Sequence, residues 1–199
     1  MQAPLSKPTL DWLRRAVLAA CVAQLQACGG GGGQPAPAAA PVVGGASAPA
    51  GASASTCGLA NFQSTALSLV NQYRAAGAIC GSLGAFAPTS PLSWNAQLTQ
   101  AAEGHSQDMV AHNFVLHDSF DGRTFDQRIT AAGYVWSRAA ENIAAGQTTL
   151  AEVMQGWIDS PGHCANIMNP NLADIGLVCV SSPSNTTYST YWTMDLGRH

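Results

Sequence analysis

Charge is scarce in this 199-residue chain, and positive charge scarcest, with eight Lys and Arg against eleven Asp and Glu. Lys7 is the only lysine, and the five arginines from Arg74 onward form no cluster. Nucleic-acid binding needs clustered cations, so it is excluded as a function. Docking of a domain surface on anionic headgroups is disfavoured for the same reason. No apolar run reaches the roughly 20 residues of a membrane-spanning helix. Several chemical signatures are missing too. There is no HExxH of the zinc proteases and no CxxC of zinc-thiolate sites. Asp118 to Gly122 lacks the EF-hand spacing and its terminal glutamate. Ser160 has no nucleophile-elbow glycines around it.

What is present begins with an export layout. Lys7, Arg14 and Arg15 precede the apolar run Ala16 to Ala27, as in a secretory signal. The run ends in Leu25-Gln26-Ala27-Cys28, which resembles a bacterial lipobox, and residues 1–27 are read as a lipoprotein signal peptide with Cys28 lipidated. Leu18-Ala19-Ala20-Cys21 competes, but it would leave too short an apolar core. Residues 28–56 are then the lipidated cysteine and a Gly/Ala/Pro/Ser tether. Such a segment buries too little apolar surface to offset its ordering entropy and is expected to be disordered. As a random coil it spans roughly 30 Å. Membrane attachment is expected through this lipid. Gly29 rather than Asp after the cysteine points to the outer membrane, facing periplasm or surface, in a host with two membranes. Without its signal the chain carries five arginines and ten carboxylates, a formal net charge of −5.

Residues 57–199 are expected to form one domain. Leu59 to Ala76 reads as a first helix closed by Gly77. Asn95 caps a second, with the stripe Leu98, Ala102, His105, Met109 and His112. Thr124 and Gln127 form a capping-box pair, as do Thr149 and Glu152, so two further helices start there. Cys80 to Ser93 reads as loop. Asp174 to Ser181 and Tyr188 to Leu196 are rich in β-branched and aromatic residues and read as an antiparallel hairpin. Helices around a small sheet give an α+β layered domain.

Four cysteines remain in the exported domain, and an even count predicts two disulfides. Of three pairings, local closure favours Cys57–Cys80 and Cys164–Cys179. On that reading Cys164 is no thiol nucleophile.

The densest chemistry lies between Ala139 and Met168, where Glu141, Glu152, Asp159 and His163 surround one short helix. Leu150, Val153, Met154, Trp157 and Ile158 give that helix an apolar stripe. Pro161 and Gly162 are expected to stop it, leaving His163 at the turn. His117 lies in an upstream loop. His105 and His112 share a stripe with Leu98 and Met109 and read as core or half-buried residues.

The order of these elements carries a resemblance. Tyr73-Arg74, Leu92-Ser93-Trp94-Asn95, Leu116-His117, Asp121-Gly122, Ala140-Glu141-Asn142-Ile143, Trp157 with Ser160-Pro161-Gly162-His163, Gly176, and Tyr191-Trp192 together resemble the CAP superfamily. This is the SCP domain of cysteine-rich secretory, antigen 5 and pathogenesis-related 1 proteins, here in its bacterial style. The resemblance covers about residues 60–197 and implies a three-layer α–β–α sandwich. It also implies a cleft with two histidines and two acids. His117, Glu141 and His163 match three of these positions, and Asp159, or alternatively Glu152, is the nearest fourth. The resemblance implies zinc binding at the two histidines, where imidazole and carboxylate suit a divalent ion. The plainer alternative is a cluster that only braces the cleft. Two functions stay open. One is a non-enzymatic envelope module recognising a small apolar ligand, glycan or protein; the other is a metal-dependent hydrolase using His117, Glu141 and His163.

Overall fold

The computed structural model describes residues 55–183 and 185–199. The signal, Cys28 and the tether as far as residue 54 lie outside the described residues. Among those described, no helix is long and apolar enough to cross a membrane.

A central sheet of four strands runs in the order β3-β5-β6-β4. β3 (Ser93–Trp94) pairs parallel with β5 (Asp174–Ser181), while β5 with β6 (Thr190–Arg198) and β6 with β4 (Arg138–Ala145) are antiparallel. A small hairpin, β1 (Ala78–Ile79) with β2 (Ala85–Phe86), stands apart from it. The expected hairpin is therefore β5–β6, and β4, which was not among the expected strands, completes the antiparallel core. Its sequence, Arg-Ala-Ala-Glu-Asn-Ile-Ala-Ala, has few of the residues that advertise a strand. Burial against both helical layers overrides that propensity.

Side chains alternate across a strand, so each strand feeds two layers. One layer holds α2 (Ala96–His112) and α3 (Phe125–Ala131). The other holds α1 (Phe62–Ala76), α4 (Leu150–Asp159) and α5 (Pro161–Met168). The α1/α4/α5 side is the main apolar core, with Phe62, Val70, Val153, Trp157, Ile167, Leu177, Trp192, Met194 and Leu196 all buried together. Trp157 also donates its indole N–H to the Ile143 carbonyl at 3.1 Å. On the α2/α3 side two smaller clusters form, around Leu98, Ile129 and Tyr134 and around Met109, Ile143 and Tyr191.

Two glycines allow α2 and Tyr134 to seat on the sheet. A Cβ on Gly176 would lie 2.1 Å from the Thr99 backbone nitrogen, and one on Gly197 2.5 Å from the Tyr134 ring. Tyr134 donates its hydroxyl to Asp174 at 2.7 Å. Burial, then this carboxylate, push the phenol above its ordinary range.

The capping signals are seen where the sequence placed them. Asn95 Oδ1 accepts from the Gln97 and Leu98 amides, and both Thr124–Gln127 and Thr149–Glu152 boxes are closed. The helix stops before Pro161 as expected, at Asp159 with Ser160 as its C-cap, but the same proline also begins a new helix. Pro161 opens α5, where its missing N–H costs nothing and its φ is preset. His163 is thus the third residue of a helix rather than part of a turn. Arg74 explains how α5 ends. Its buried guanidinium donates to the carbonyls of Ser90, Ile167, Asn169 and Leu172, satisfying groups that a helix end leaves open.

The disulfides correct the local pairing. Cys57 bonds Cys179 and Cys80 bonds Cys164, each with Cα atoms 5.3 Å apart. Ser55 and Thr56, placed by sequence in the tether, run beside β5. Thr56 forms a parallel bridge with Cys179, with the Cys57 N–H donating to the Cys179 carbonyl and the Cys179 N–H to the Ser55 carbonyl. That bridge sets Cys57 against the strand, so proximity in the sheet outweighs proximity along the chain. The bonds separate 122 and 84 residues of sequence. Loops that long are worth roughly 4–5 kcal/mol each in the chain-entropy picture, against about 3 for the short loops first expected.

Candidate functional site

The site lies at the free edge of the sheet, on β4, within reach of both helical layers. Alternation sends Glu141 towards α2 and α3 and Asn142 towards α5. Glu141 is buried, and both of its oxygens are engaged. His117 Nδ1 lies 2.8 Å from Oε1, and Arg128 of α3 binds Oε2. A carboxylate only accepts, so His117 carries its proton on Nδ1 and turns Nε2 to the cleft. The ring is 51% exposed. The hydrogen bond to Glu141 holds His117 above the ordinary imidazole value, against the opposing pull of burial.

His163 reaches the same edge from the other layer. Asn142 Nδ2 donates to its carbonyl at 3.1 Å, and Asn166 Nδ2 donates to Asn142 Oδ1 at 2.9 Å and to the Glu141 carbonyl at 3.3 Å. The Asn166 bond to Glu141 covers a carbonyl of a strand edge that would otherwise present open backbone. Burial, and then the charge of nearby His117, keep His163 below the ordinary imidazole value. The open cleft has a volume of about 410 Å³ and runs past His117, Thr124, Phe125, Ala140, Glu141 and Asn166.

The structure therefore brings His117, Glu141 and His163 to one strand edge. It keeps the two candidates for a fourth member away. Asp159 is exposed on α4 and accepts from Gln155, while Glu152 is engaged by the Thr148 and Thr149 amides of its own helix start. His112 is a surface residue paired with Asp108 and stacked on Phe120. His105 is buried behind the site, with Nε2 at 2.9 Å from the Leu116 carbonyl. Burial lowers its basicity, partly offset by Glu141.

Three contributors were missed in the sequence: Arg128, Asn166 and Asp195. Arg128 is one of only five arginines in the domain and follows the N-cap Thr124 by four residues, about one helical turn. Asp195 interrupts the apolar β-run Tyr191 to Leu196 and stands directly opposite Glu141 in the β4–β6 register. A lone carboxylate inside a strand that is otherwise buried was the available signal.

Among the described residues, no group of three or more His, Cys, Asp or Glu side chains is placed to hold a metal ion. Glu141 is already held on both oxygens, by His117 and Arg128, which leaves two imidazoles, short of the three protein ligands of catalytic zinc sites. The residues as arranged do not fit a catalytic zinc centre.

A three-layer sandwich with paired histidines at a sheet edge defines an SCP-type domain. The model of the cysteine-rich secretory protein family (CAP) matches residues 67–196, and the chain belongs to that family. An uncharacterized protein of Bacillus subtilis (strain 168), YkwD, is 41% identical over 95 residues, covering 47% of this chain and 37% of its own length. An extracellular SCP-domain protein of Bacillus anthracis str. Ames aligns at 25% identity with a TM-score of 0.52, over 68% of this chain and 41% of that one. An outer surface protein of Borrelia burgdorferi shares the fold at 19% identity and a TM-score of 0.54, over 68% of this chain and 93% of that one. The chain thus spans about two-fifths of the length of the first two relatives.

Proposed function

We propose that this chain is an exported, non-enzymatic binding module of the bacterial cell envelope. In this reading it is held to the outer membrane by a lipid on Cys28 and set off from it by the tether. The β4-edge cleft takes a small ligand, or an exposed group of an envelope glycan or protein, with an apolar face and hydrogen-bonding edge. One observation carries the reading: both oxygens of Glu141 are occupied, by Arg128 and His117. A carboxylate so neutralised orients an imidazole but is not poised to take a proton from water. What remains open to a ligand is His117 Nε2 beside Phe125 and Ala140, an arrangement suited to recognition. Two of the relatives are described as an extracellular and an outer surface protein, which supports the exported placement.

The binding half is tested by calorimetry with soluble peptidoglycan fragments on the mature domain and on Phe125→Ala and His117→Ala. Saturable binding that both variants weaken is the expected result. Turnover of the fragments that is lost on chelation and in His117→Ala would replace this reading with the metal-dependent hydrolase. The anchor is tested separately: Cys28→Ser should leave the membrane fraction, and its retention there would remove the lipid from the account.

A further inference from the structure

Asp195 is fully buried, and neither of its carboxylate oxygens has a hydrogen-bond donor within reach. Its cross-strand partners are Glu141 on β4 and, on β5, Gly176, which brings no charge. The other titratable groups around this spot are Arg128 from α3 and His105 from α2, with His117 beyond Glu141. Arg128 is the sole fixed cation, and it is already bound to Glu141. Two carboxylates therefore face each other across the ladder with one cation between them. An acceptor facing an acceptor can be joined only by a proton of their own.

We propose that Asp195 is a positioning residue that carries a proton at neutral pH, donates it to Glu141, and thereby helps fix His117 with Nε2 towards the cleft. This goes beyond the ligand-binding reading, since it holds whatever the cleft binds. An ionised second carboxylate here would be a buried charge without partner or water, which costs several kcal/mol in general. A shared proton leaves Arg128 and Glu141 as one neutral pair. Burial, and then the charge of Glu141, push the Asp195 carboxyl well above the usual carboxylate range, while Arg128 pulls the other way.

Glu141 then accepts from three sides: Arg128, His117 and Asp195. A donor on Asp195 also moderates how strongly Glu141 holds the His117 proton. Removing that donor should make Glu141 a stronger acceptor and His117 more basic.

The direct test is carbon-13 NMR of the carboxyl groups in the wild-type mature domain, with Asp195→Asn used to assign the signal. The Asp195 carboxyl should show no deprotonation step between pH 4 and 7. A step at the ordinary aspartate midpoint near 3.9 would overturn the proposal. The second measurement is stability against pH. A group whose folded midpoint lies above its unfolded one stabilises least once the pH exceeds the unfolded value. The unfolding constant of wild type relative to Asp195→Asn should therefore rise, up to about tenfold per pH unit, as pH climbs from about 4. A flat ratio would overturn it. The third reads the positioning role itself: in Asp195→Leu the His117 imidazole midpoint should move up, and an unchanged midpoint would leave Asp195 without that role. If the leucine variant does not fold, the carboxyl signal of the wild type still decides.

Discussion

The two faces of one sheet are held by different physics. Towards α1, α4 and α5 the buried surface is mainly hydrocarbon, closed by Trp157, Trp192, Leu177 and Leu196, with Arg74 and Asn142 as polar exceptions at its margin. Towards α2 and α3 it contains Glu141, Asp195, Arg128, His105, Ser106 and Thr193, all buried. Even the neutral pair, Ser106 and Thr193, is satisfied internally at 2.8 Å. The apolar face gains from area removed from water, which has no direction and little sensitivity to pH. The polar face gains only while every donor meets an acceptor, so its contribution depends on geometry and protonation. The functional edge is where the second kind of face opens to solvent. Stability and chemistry are thus divided between the two sides of the same strands.

That division can be broken from its apolar side first. Trp157→Ala should cost about 3–5 kcal/mol, as for other buried aromatics, and lower the melting temperature by roughly 10 °C at pH 5 and pH 8 alike. A loss that differed strongly between the two pH values would contradict the apolar assignment. On the polar face, Arg128→Met leaves Glu141 buried without its cation, a change that typically costs about 3 kcal/mol or more. Thermal melts at neutral pH, compared with wild type, would show it. A smaller effect, about 1–3 kcal/mol, is expected for Gly176→Ala, because the new methyl meets the α2 backbone and not a yielding side chain. Denaturant unfolding measures it directly; a neutral result would mean that α2 does not seat there.

The smallest effect sharpens the comparison most. His117→Gln should cost well under 1 kcal/mol, since the ring is half exposed and solvent screens its pair with Glu141. Its sign with pH is fixed by the upward shift of His117. The stabilisation is fully present below about 6.5 and is lost as pH rises through the higher folded midpoint. His105 and His163, both held low, work the other way and lose stability as the pH falls below about 6.5. The variant should therefore differ from wild type more at pH 5.5 than at pH 8.5. Equal differences at both would remove the Glu141 bond from the account.

Much of this could be read from the chain. Caps at Asn95, Thr124 and Thr149, the β5–β6 hairpin and the Trp157 stripe rest on local side chains that mark their own ends. The meeting of His117, Glu141 and His163 came from the family resemblance, since no local spacing reveals it. What stayed hidden depends on long-range placement. β4 is small-residue sequence made into a strand by its neighbours. Pro161 can end one helix or begin the next and here does both, while the far end of α5 is satisfied by Arg74, nearly a hundred residues away. Arg128 and Asp195 matter because they flank Glu141 in space, which neither position announces alone.

The Cys57–Cys179 bond has a mechanical consequence. A pull applied through the chain before Thr56 and resisted at His199 enters the sheet directly at β5, because the bond short-circuits everything between the two cysteines. The helices lie outside this covalent path, and β4 meets the load only through its ladder with β6. Until the bond is reduced, only the segment after Cys179 can extend, roughly 70 Å of chain instead of nearly 500 Å for the whole domain. Even that segment must first shear β6 out of its ladders with β5 and β4. Tension arriving from the N-terminal side would thus be borne by a covalent link and a sheet before it reaches the helices.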